Sequence, residues 1–599
     1  MFLSGASVGT TLTGAGSVAG GQGGAGGDSF GVLSFTNGGG GGGTGGSGLA
    51  LAQMRGTGFT IDVAVTGGNG GTGGNGGNHG GAGGAGGVGG SGLLLMAGTT
   101  GANTFDISGA VTGGAGGVGG TGGATGAAAV GGIGGVGGKG LDLTGSTGTT
   151  TVTISAAVTG GNGGAGGNGT NGGANGLRGN GGNGIEGKNL AVTVAGTGSV
   201  AGGLGGTGAQ AAAFNFTAGT NTLAVASGAT VTGDIVVSTN TTTLKFNQTD
   251  NVTLGNVISG AGSIIKSGTG RLTLSGTNAF TGSTTIEAGT LSISADAALG
   301  GASGGITFKG GALETTESFT SSRNITLNSA TTGTFNTASG TTLTLSGSFS
   351  GLGGLVKTGD GTLVVSSNPG YSYGGDTTIT AGTLALTGVG AIGASSSVKV
   401  DGTLDISGIT TANTTIKTLM GGSTGEIVLG TQALGVNQAA DKTFAGKISG
   451  SGKFTYAGLI NSVASTLTLT GDSSAFTGAT SVWSGTLALS GSGSLAASSA
   501  VEINSYGKLD ISGTTTGTSI KTLSGYSGGQ VALGSRDLTV DQSADKTFAG
   551  KFSGSGALTK TGASTLTLTG DSTAFTGATI ITAGTLALSG GASVENSNG

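Results

Sequence analysis

Four aspartates are the side chains in this sequence whose spacing could support catalysis. Asp441 and Asp545 occupy one position of a duplicated segment, and Asp472 and Asp571 occupy another. Cleavage of a polysaccharide requires two carboxylates, or a carboxylate and a base, that converge on one bond. An acid that recurs at the same place in each copy is better explained as a turn former whose carboxylate accepts backbone amide hydrogens. We therefore predict that the chain is not an enzyme and has no catalytic residues.

Metal and cofactor sites have little support. His79 is the only histidine and cysteine is absent, so a metal site or a Ser-His-Asp triad would depend on His79, which has no second ligand nearby. Strings of the form GxGxxG lack the helix and the following acid of a dinucleotide site. Asp28, Asp62, Asp106 and Asp142 are too few for calcium-binding glycine repeats. We predict no metal ligands, no cofactor-binding residues and no cofactor.

Aromatic and charged side chains are scarce. Tyr371, Tyr373 and Trp483 lie on or beside strands, where they could stack on sugars, although packing in the core is the favoured interpretation. Charged residues make up 8% of the chain and the net charge is −4, so binding to nucleic acid or to an anionic membrane is not expected. No apolar run is long enough for a membrane-spanning helix. The first residues also lack the basic start of a secretory signal.

Glycine organises the first third of the chain. Of 147 glycines, most of those in the first 200 residues form Gly-Gly-X triplets that follow the pairs Val65-Thr66, Val111-Thr112 and Val158-Thr159. A period of three fits a polyproline-II-like helix, and two glycines per triplet let neighbouring backbones approach closely. The triplet frame shifts at His79, which indicates a reversal. We hypothesise a glycine-rich β-solenoid over residues 1–214 that carries hairpins of a polyglycine-II-like bundle; flexible glycine loops are the alternative.

Residues 215–599 contain a second kind of repeat. The segments 271–294, 466–490 and 565–589 are copies of one sequence, residues 362–386 form a weaker copy, and 416–452 matches 520–556 at an offset of 104. Their apolar residues alternate with period two, which is typical of strands. One coil alone cannot bury enough apolar surface to offset its loss of entropy, whereas stacked coils share a core. Tandem duplication therefore favours a parallel solenoid over a sandwich or a barrel.

The sequence GSGALTKTGASTLTLTGDSTAFTGATIITAGTLALS closely resembles the autotransporter-associated β-strand repeat of bacterial type V secreted passengers. The matching features are Gly-Ser-Gly before an apolar strand, a turn at Lys266-Ser267-Gly268 or Lys560-Thr561-Gly562, and Phe-Thr-Gly at Phe280, Phe476 and Phe575. Four copies and their connectors cover roughly residues 215 to 590. The glycine-rich third is similar in texture to polyglycine-II regions of some phage tail adhesins and of a springtail antifreeze protein.

The resemblance implies an all-β, right-handed parallel β-helix displayed at the surface of a Gram-negative cell. It further implies a parent protein with a C-terminal outer-membrane barrel, of which this chain is expected to be a passenger segment. The implied function is that of a non-catalytic, adhesin-like stalk that contacts a surface glycan or a receptor on a host or neighbouring cell. The alternatives are an ice-binding or glycan-binding solenoid and a polysaccharide-degrading β-helix enzyme that uses Asp472 or Asp571.

Overall fold

The chain folds into stacked coils of β-strand. The computed structural model describes residues 1–4, 10–13, 16–28, 38–56, 58–366, 373–411, 413–460 and 463–594. Two compact units are formed by Met1–Gly305 and Ile306–Gly599. Each unit is a parallel β-solenoid, which confirms the predicted fold class. Among the described residues the helical structure is one 3-10 turn, Asp296–Leu299, and no helix has the length and hydrophobicity needed to cross a membrane.

The first unit contains nine coils with three strands each, and equivalent strands of successive coils pair in parallel, except that the row of third strands is interrupted between Thr230–Thr232 and Val252–Leu254. The first strands of the coils are Phe2–Ser4, Leu49–Ala52, Leu93–Leu95, Leu141–Leu143, Ile185–Lys188, Phe214–Ala218, Ile235–Val237, Ile258–Gly260 and Ala279–Phe280. The second strands are Thr10–Leu12, Gly58–Ile61, Asn103–Ile107, Thr150–Ile154, Leu190–Val194, Thr220–Val225, Thr243–Asn247, Ser263–Ser267 and Thr284–Ile286. The third strands are Ser17–Ala19, Ala64–Thr66, Val111–Thr112, Ala157–Thr159, Ser199–Ala201, Thr230–Thr232, Val252–Leu254, Arg271–Leu274 and Thr290–Ile293.

The pairing register places similar side chains of successive coils above one another in the core. Leu49 pairs with Leu93, which pairs with Leu141 and then with Ile185, and all four are buried. Because strand side chains alternate between faces, every second residue points inward and the intervening residues face outward. The core is therefore a set of aliphatic ladders that each coil shares with its neighbours.

The second unit is built in the same way, with less regular strand lengths. One group of strands comprises Ile306–Phe308, Ile325–Leu327, Phe349–Gly351, Ala312–Thr315, Thr332–Thr337, Gly354–Thr358, Thr377–Ile379, Val398–Val400, Leu419–Met420, Phe319–Ser321, Thr342–Leu345, Thr362–Val365, Thr383–Gly388, Thr403–Ile409, Glu426–Val428 and Lys447–Ser449. The remaining strands are Asn413–Ile416, Ala433–Asn437, Lys442–Phe444, Phe454–Ala457, Leu459–Ile460, Val463–Ala464, Thr466–Leu469, Thr480–Gly491, Val501–Thr514, Thr518–Ile520, Leu523–Gly525, Gln530–Gly534, Leu538–Asp541, Lys546–Phe548, Lys551–Gly554, Leu558–Thr561, Thr565–Leu568, Thr579–Ile581 and Thr585–Leu588. Within the described ranges, the strands that pair antiparallel are Leu459–Ile460 and Val463–Ala464, which form a small hairpin.

The Gly-Gly-X runs connect the third strand of one coil to the first strand of the next, and they are joined by regular backbone hydrogen bonds. The amides of Gly68, Gly71 and Gly74 donate to the carbonyls of Gly46, Gly43 and Gly40 at 2.7 to 2.8 Å. The other glycine of each triplet donates to the run of the following coil; these bonds run from Gly67, Gly70 and Gly73 to Thr112, Ala115 and Val118, each at 2.8 Å. The backbone amides of both glycines in these triplets are thus paired with neighbouring legs or strands.

Side chains are excluded from the space between these legs. A Cβ atom added to Gly71 would collide with the carbonyl of Gly24, and one added to Gly70 would collide with the carbonyl of Gly87. The third residue of each triplet points outward, where a side chain is allowed. Some of these side chains complete the network, because Asn69 Oδ1 accepts the amide hydrogen of Ala115 at 2.9 Å and Asn75 Oδ1 accepts that of Thr121 at 3.0 Å.

Candidate binding surface

The four recurring aspartates make backbone contacts. Asp441 Oδ1 accepts the amide hydrogen of Thr466 at 2.7 Å, and Asp545 Oδ1 accepts that of Thr565 at the same distance. Thr466 and Thr565 each begin a Thr-Leu-Thr-Leu strand in the next coil. Both copies of this acid therefore fix the start of the following strand.

Asp472 and Asp571 lie at equivalent turns. Asp472 Oδ1 accepts the amide hydrogen of Ser474 at 3.1 Å, which is an Asx turn. Its backbone bridges to Ser494 in the next coil, as the backbone of Asp571 bridges to Ser593. Asp472 is the one carboxylate among the described residues lining a shallow groove of about 370 Å³, whose other walls are glycine, serine, threonine and alanine. The groove does not supply the paired acids that glycoside hydrolysis requires.

His79 occupies the turn between two glycine legs. The chain reverses at Asn78–Gly80, and His79 adopts the left-handed conformation with φ of 92°. Its amide donates to Thr125 of the next coil at 2.7 Å, and its Nδ1 lies 2.6 Å from the carbonyl oxygen of Asn78. Among the described residues, no cluster of three histidine, aspartate or glutamate side chains could hold a metal ion.

The three aromatic residues singled out from the sequence have different fates. Tyr371 lies outside the described residues. Tyr373 is buried, and its hydroxyl is hydrogen-bonded to Thr377 Oγ1 at 2.7 Å, so it belongs to the core. Trp483 is 57% exposed. It lies in a strand bulge, because the pairing register skips from Val482 to Ser484 on both neighbouring strands.

Trp483 is accompanied by two tyrosines that the sequence reasoning missed. Val482 pairs with Ile503, and Ile503 pairs with Gly525, so these residues mark one strand position on three successive coils. Trp483 directly follows the first of these positions, Tyr506 comes three residues after the second, and Tyr526 directly follows the third. Tyr506 is 76% exposed and Tyr526 is 54% exposed. We call Trp483, Tyr506 and Tyr526 the aromatic corner.

The aromatic corner is unusual in this molecule. Among the described residues, the only other exposed aromatic side chain is Phe2, whereas most phenylalanines are buried in the ladders. The coil before Trp483 carries the hairpin formed by Leu459–Ile460 and Val463–Ala464 at the same corner, since Tyr456, just before the hairpin, pairs with Val482. At this position, four successive coils thus carry either the hairpin or an exposed aromatic residue, and the strands of Trp483 and Tyr506 are irregular there.

Charges beside the aromatic corner are compensated. Lys508 Nζ lies 2.8 Å from Asp510 Oδ2, and Lys453 Nζ lies 4.0 Å from Glu502 Oε2. Burial acts to raise the pKa of Asp510, but hydrogen bonds from Lys508 and Ser512 outweigh it and hold that pKa below its ordinary value. The carboxylate therefore stays ionised and paired with Lys508 at neutral pH. The surface offers flat rings, hydroxyls and amides, and the charged side chains that flank Tyr506 in sequence are held in ion pairs.

Comparison with known proteins identifies the repeats of the second kind. The passenger-associated-transport-repeat family matches residues 264–293, 355–386, 464–489 and 558–588. The third of these stretches contains Trp483, and each stretch includes a Gly-Thr-Leu sequence.

A relative of known type matches part of the chain. Over 148 residues the chain is 43% identical to the adhesin BmaC autotransporter of Brucella suis biovar 1 (strain 1330). The match covers 25% of this chain and 4% of that protein, so the chain spans only a small part of the length of its relative. No solved structure matches the chain.

Proposed function

We propose, on the premise that this chain is an autotransporter passenger repeat protein, that it serves as a non-catalytic, adhesin-like stalk displayed outside a bacterial cell. The observation that carries the proposal is the presence of four passenger repeats within stacked, in-register coils. Stacking repeats the same edge and face groups at about 4.8 Å intervals. Many weak contacts along such a surface add up to firm attachment, which requires no catalytic group.

Surface display tests this proposal. Residues 1–599 are fused to an unrelated autotransporter anchor in a non-adherent laboratory bacterium, and the cells retained on epithelial layers and on layers of bacteria are counted after washing. We expect at least about tenfold more retained cells than with an unrelated solenoid of similar length on the same anchor. Equal retention at equal surface levels, established by antibody staining, would refute the adhesive function.

The absence of catalysis is part of the proposal and has its own test. The support is that Asp441, Asp472 and Asp545 accept hydrogen bonds from backbone amides, which is a structural use of a carboxylate. The purified chain is incubated with neutral and acidic polysaccharides, and release of reducing or unsaturated ends is measured. No release above that of the Asp472→Asn and Asp571→Asn variants is expected. Release that either substitution abolishes would establish the enzyme alternative.

We also propose that residues 1–214 and 215–599 are distinct functional segments and that the legs of the first are polyglycine-II-like. The support is that the last Gly-Gly-X leg precedes the strand Phe214–Ala218, and that a given pair of neighbouring legs is joined at every third residue, as Gly68, Gly71 and Gly74 show. A bundle of this kind holds outward side chains in fixed rows. Separate expression of the two segments tests the division: each is expected to resist proteinase K, and rapid digestion of residues 67–91 and 113–140 would favour flexible loops.

A further inference from the structure

The aromatic corner is absent from the sister copy of the same coils within this chain. The strands Val398–Val400 and Val501–Ile503 are equivalent, because each precedes the shared sequence Leu-Asp-Ile-Ser-Gly at 404–408 and 509–513. The segment between the strand and the shared sequence is 401–403 in the first copy and 504–508 in the second. The second copy is therefore longer by two residues, which we assign to Ser505 and Tyr506. At the constant offset of 104, Tyr526 corresponds to Gly422. In the passenger repeats, Trp483 corresponds to Thr582.

The neighbouring coil departs from its sister copy at the same corner. The sequence Tyr456-Ala457-Gly458 corresponds to Lys560-Thr561-Gly562, and both lead to Ala-Ser-Thr-Leu-Thr-Leu. The first copy has five additional residues, 459–463, between these segments, and its strand Leu459–Ile460 pairs antiparallel with Val463–Ala464. Because the sister copy builds the same strands without the hairpin or the three rings, the coil does not need them for its fold. Strand bulges re-aim side chains and are concentrated beside functional sites, and Trp483 lies in such a bulge.

From this placement, we propose that the aromatic corner binds a neutral polysaccharide chain that lies along the stack and crosses successive coils. A neutral polysaccharide would then be the ligand of the proposed adhesive function, and the biological purpose of the site rests on that function. Rings on successive coils offer apolar faces at intervals of roughly 4.8 Å or a small multiple of it, which suits a polymer of repeated flat units. The apolar face of a pyranose ring can pack on each aromatic ring, while its hydroxyls bond to the polar rim.

The paired charges that flank Tyr506 favour a neutral ligand over an acidic one. The charged groups closest in sequence to Tyr506 are Glu502, Lys508 and Asp510, and all three are within ion pairs. An anionic glycan would have to compete with Asp510 for Lys508, at a cost in desolvation. A protein partner would gain from a surrounding aliphatic surface, whereas the exposed large hydrophobic side chains of coils 480–529 are the three aromatic residues themselves.

The single tryptophan of the chain makes the site directly observable, because all tryptophan fluorescence comes from Trp483. The purified full chain is titrated with laminarin, dextran, mannan, galactan and soluble xylan, with polygalacturonate as the acidic comparison. We expect at least one neutral polysaccharide to shift the emission to shorter wavelength in a saturable way. Polygalacturonate is expected to have no effect at the same ionic strength.

The variants restore residues that the sister copy carries, so the coils are expected to remain folded. Tyr526→Gly and the deletion of Ser505 and Tyr506 should each weaken the dissociation constant by at least about tenfold, as removal of a central aromatic contact does in other interfaces. The matched control is Tyr373→Phe, which alters a buried tyrosine away from the corner. Unchanged circular dichroism and protease resistance show that a variant is folded.

Three outcomes would overturn the proposal. These are the absence of an emission shift with every neutral polysaccharide, equal affinity of the folded corner variants, and binding to polygalacturonate alone. If cells that display the wild-type chain still adhere while any of these results holds, the adhesive function stands and only the glycan site fails. If the polysaccharide binds but displayed cells do not adhere, the site stands and the adhesive function fails.

Discussion

At the scale of single residues, the most consistent feature is a buried lysine that closes three of the four passenger repeats. Lys266 Nζ donates to the carbonyls of Ser267, Gly268 and Ala288 at 2.8, 2.9 and 3.1 Å. Lys357 and Lys560 make the same three contacts in their own repeats. Each ammonium therefore joins its own turn to the next coil. A lysine ammonium has three donors, and all three are used.

Loss of this lysine should destabilise the stack locally. In Lys357→Met, three carbonyls lose a charged donor, and we expect a loss of about 2 kcal/mol in the free energy of local opening. The measurement is hydrogen exchange of the amides in 354–386, read by mass spectrometry. Lys447→Met, at an exposed position, is the control and should change nothing measurable. Equal protection in both variants would show that the lysine contacts contribute no stability.

The same lysines give stability an unusual dependence on pH. Burial lowers the pKa of Lys266 and of Lys357 to about 8, although the nearby Asp360 partly opposes this for Lys357. The unfolded chain keeps these protons up to a pKa of about 10.4, so between pH 8 and that value the unfolded state binds more protons than the folded one. Stability should therefore rise with pH across this window. Urea midpoints at pH 7.5 to 10.5 measure the rise, and Lys357→Met should reduce it; a steeper rise in the variant contradicts the assignment.

The sequence predicted the turn at these lysines but not their burial. Lys-Thr-Gly or Lys-Ser-Gly marks a turn because glycine follows, and Gly268 and Gly562 do adopt positive φ. Lysine is ordinarily an exposed residue, so nothing in its type announces a core position. The repeat without this lysine, at residues 464–489, shows what the position requires, and the residue concerned lies just before it. Tyr456 takes the place of the lysine there, and its hydroxyl donates to the carbonyl of Ser465 at 2.9 Å. A buried donor is needed, and its charge is not.

At the scale of elements, the glycines of the legs differ in how closely a neighbouring backbone approaches them. Gly71 faces the carbonyls of Gly23 and Gly24, whereas a Cβ on Gly24 would meet nothing within 4 Å. The triplet period alone predicted close packing of the legs, since it keeps two of every three positions free of side chains. The period could not predict which neighbour each glycine meets, because that depends on the stacking order of the coils.

This difference predicts unequal effects of one chemical change. Gly71→Ala forces a methyl group into a backbone carbonyl and should cost about 2 kcal/mol, whereas Gly24→Ala should stay within about 0.5 kcal/mol of wild type. Thermal midpoints and the rate of proteinase K cleavage within residues 67–91 report both effects. Similar behaviour of the two variants would mean that the legs are not packed against one another in solution.

The strands were the most predictable elements, and the aromatic corner was the least. The alternation in Leu272-Thr273-Leu274 predicts both the strand and its buried face, because only one face of a strand points into the core. Tyr506 carried no comparable signal, since an isolated aromatic residue near a strand is ordinarily part of a core. Comparison of the two duplicated copies, which differ at Tyr506 and Tyr526, is the sequence observation that would have found it.

At the scale of the whole molecule, the duplicated segment of 104 residues does not correspond to a whole number of coils. Leu434 belongs to the row that continues through Phe454, Thr480, Val501 and Leu523. At the offset of 104, however, Leu523 is the copy of Leu419, which lies in another row and pairs with Val398. Strands of the second copy therefore lie on a different face of the solenoid from the equivalent strands of the first copy. Its contacts are nevertheless preserved, as Asp441 with Thr466 and Asp545 with Thr565 show.

The same contacts form although the two copies lie on different faces of the solenoid. The coils are therefore held together by contacts between neighbouring strands, whichever face those strands occupy. In such a repeat protein, stability is close to a sum of coil terms and nearest-neighbour terms. Removal of one complete copy should then leave every remaining interface of a kind that already exists in the chain. The three faces are interchangeable for this purpose, a property that the period-two pattern of the strands does not reveal.

A deletion of residues 453–556 tests this directly. It joins Gly452 to Ala557, so that Leu558 takes the position above Leu434 that Phe454 held. We expect a soluble protein with a β-type circular dichroism spectrum and a thermal midpoint close to that of the full chain. Deletion of residues 453–546 is the control, because it breaks the register and should produce aggregation or rapid proteolysis. If both deletions aggregate, the coils are not interchangeable. The folded deletion variant lacks the whole aromatic corner, so it should also fail to bind any polysaccharide that shifts the emission of Trp483.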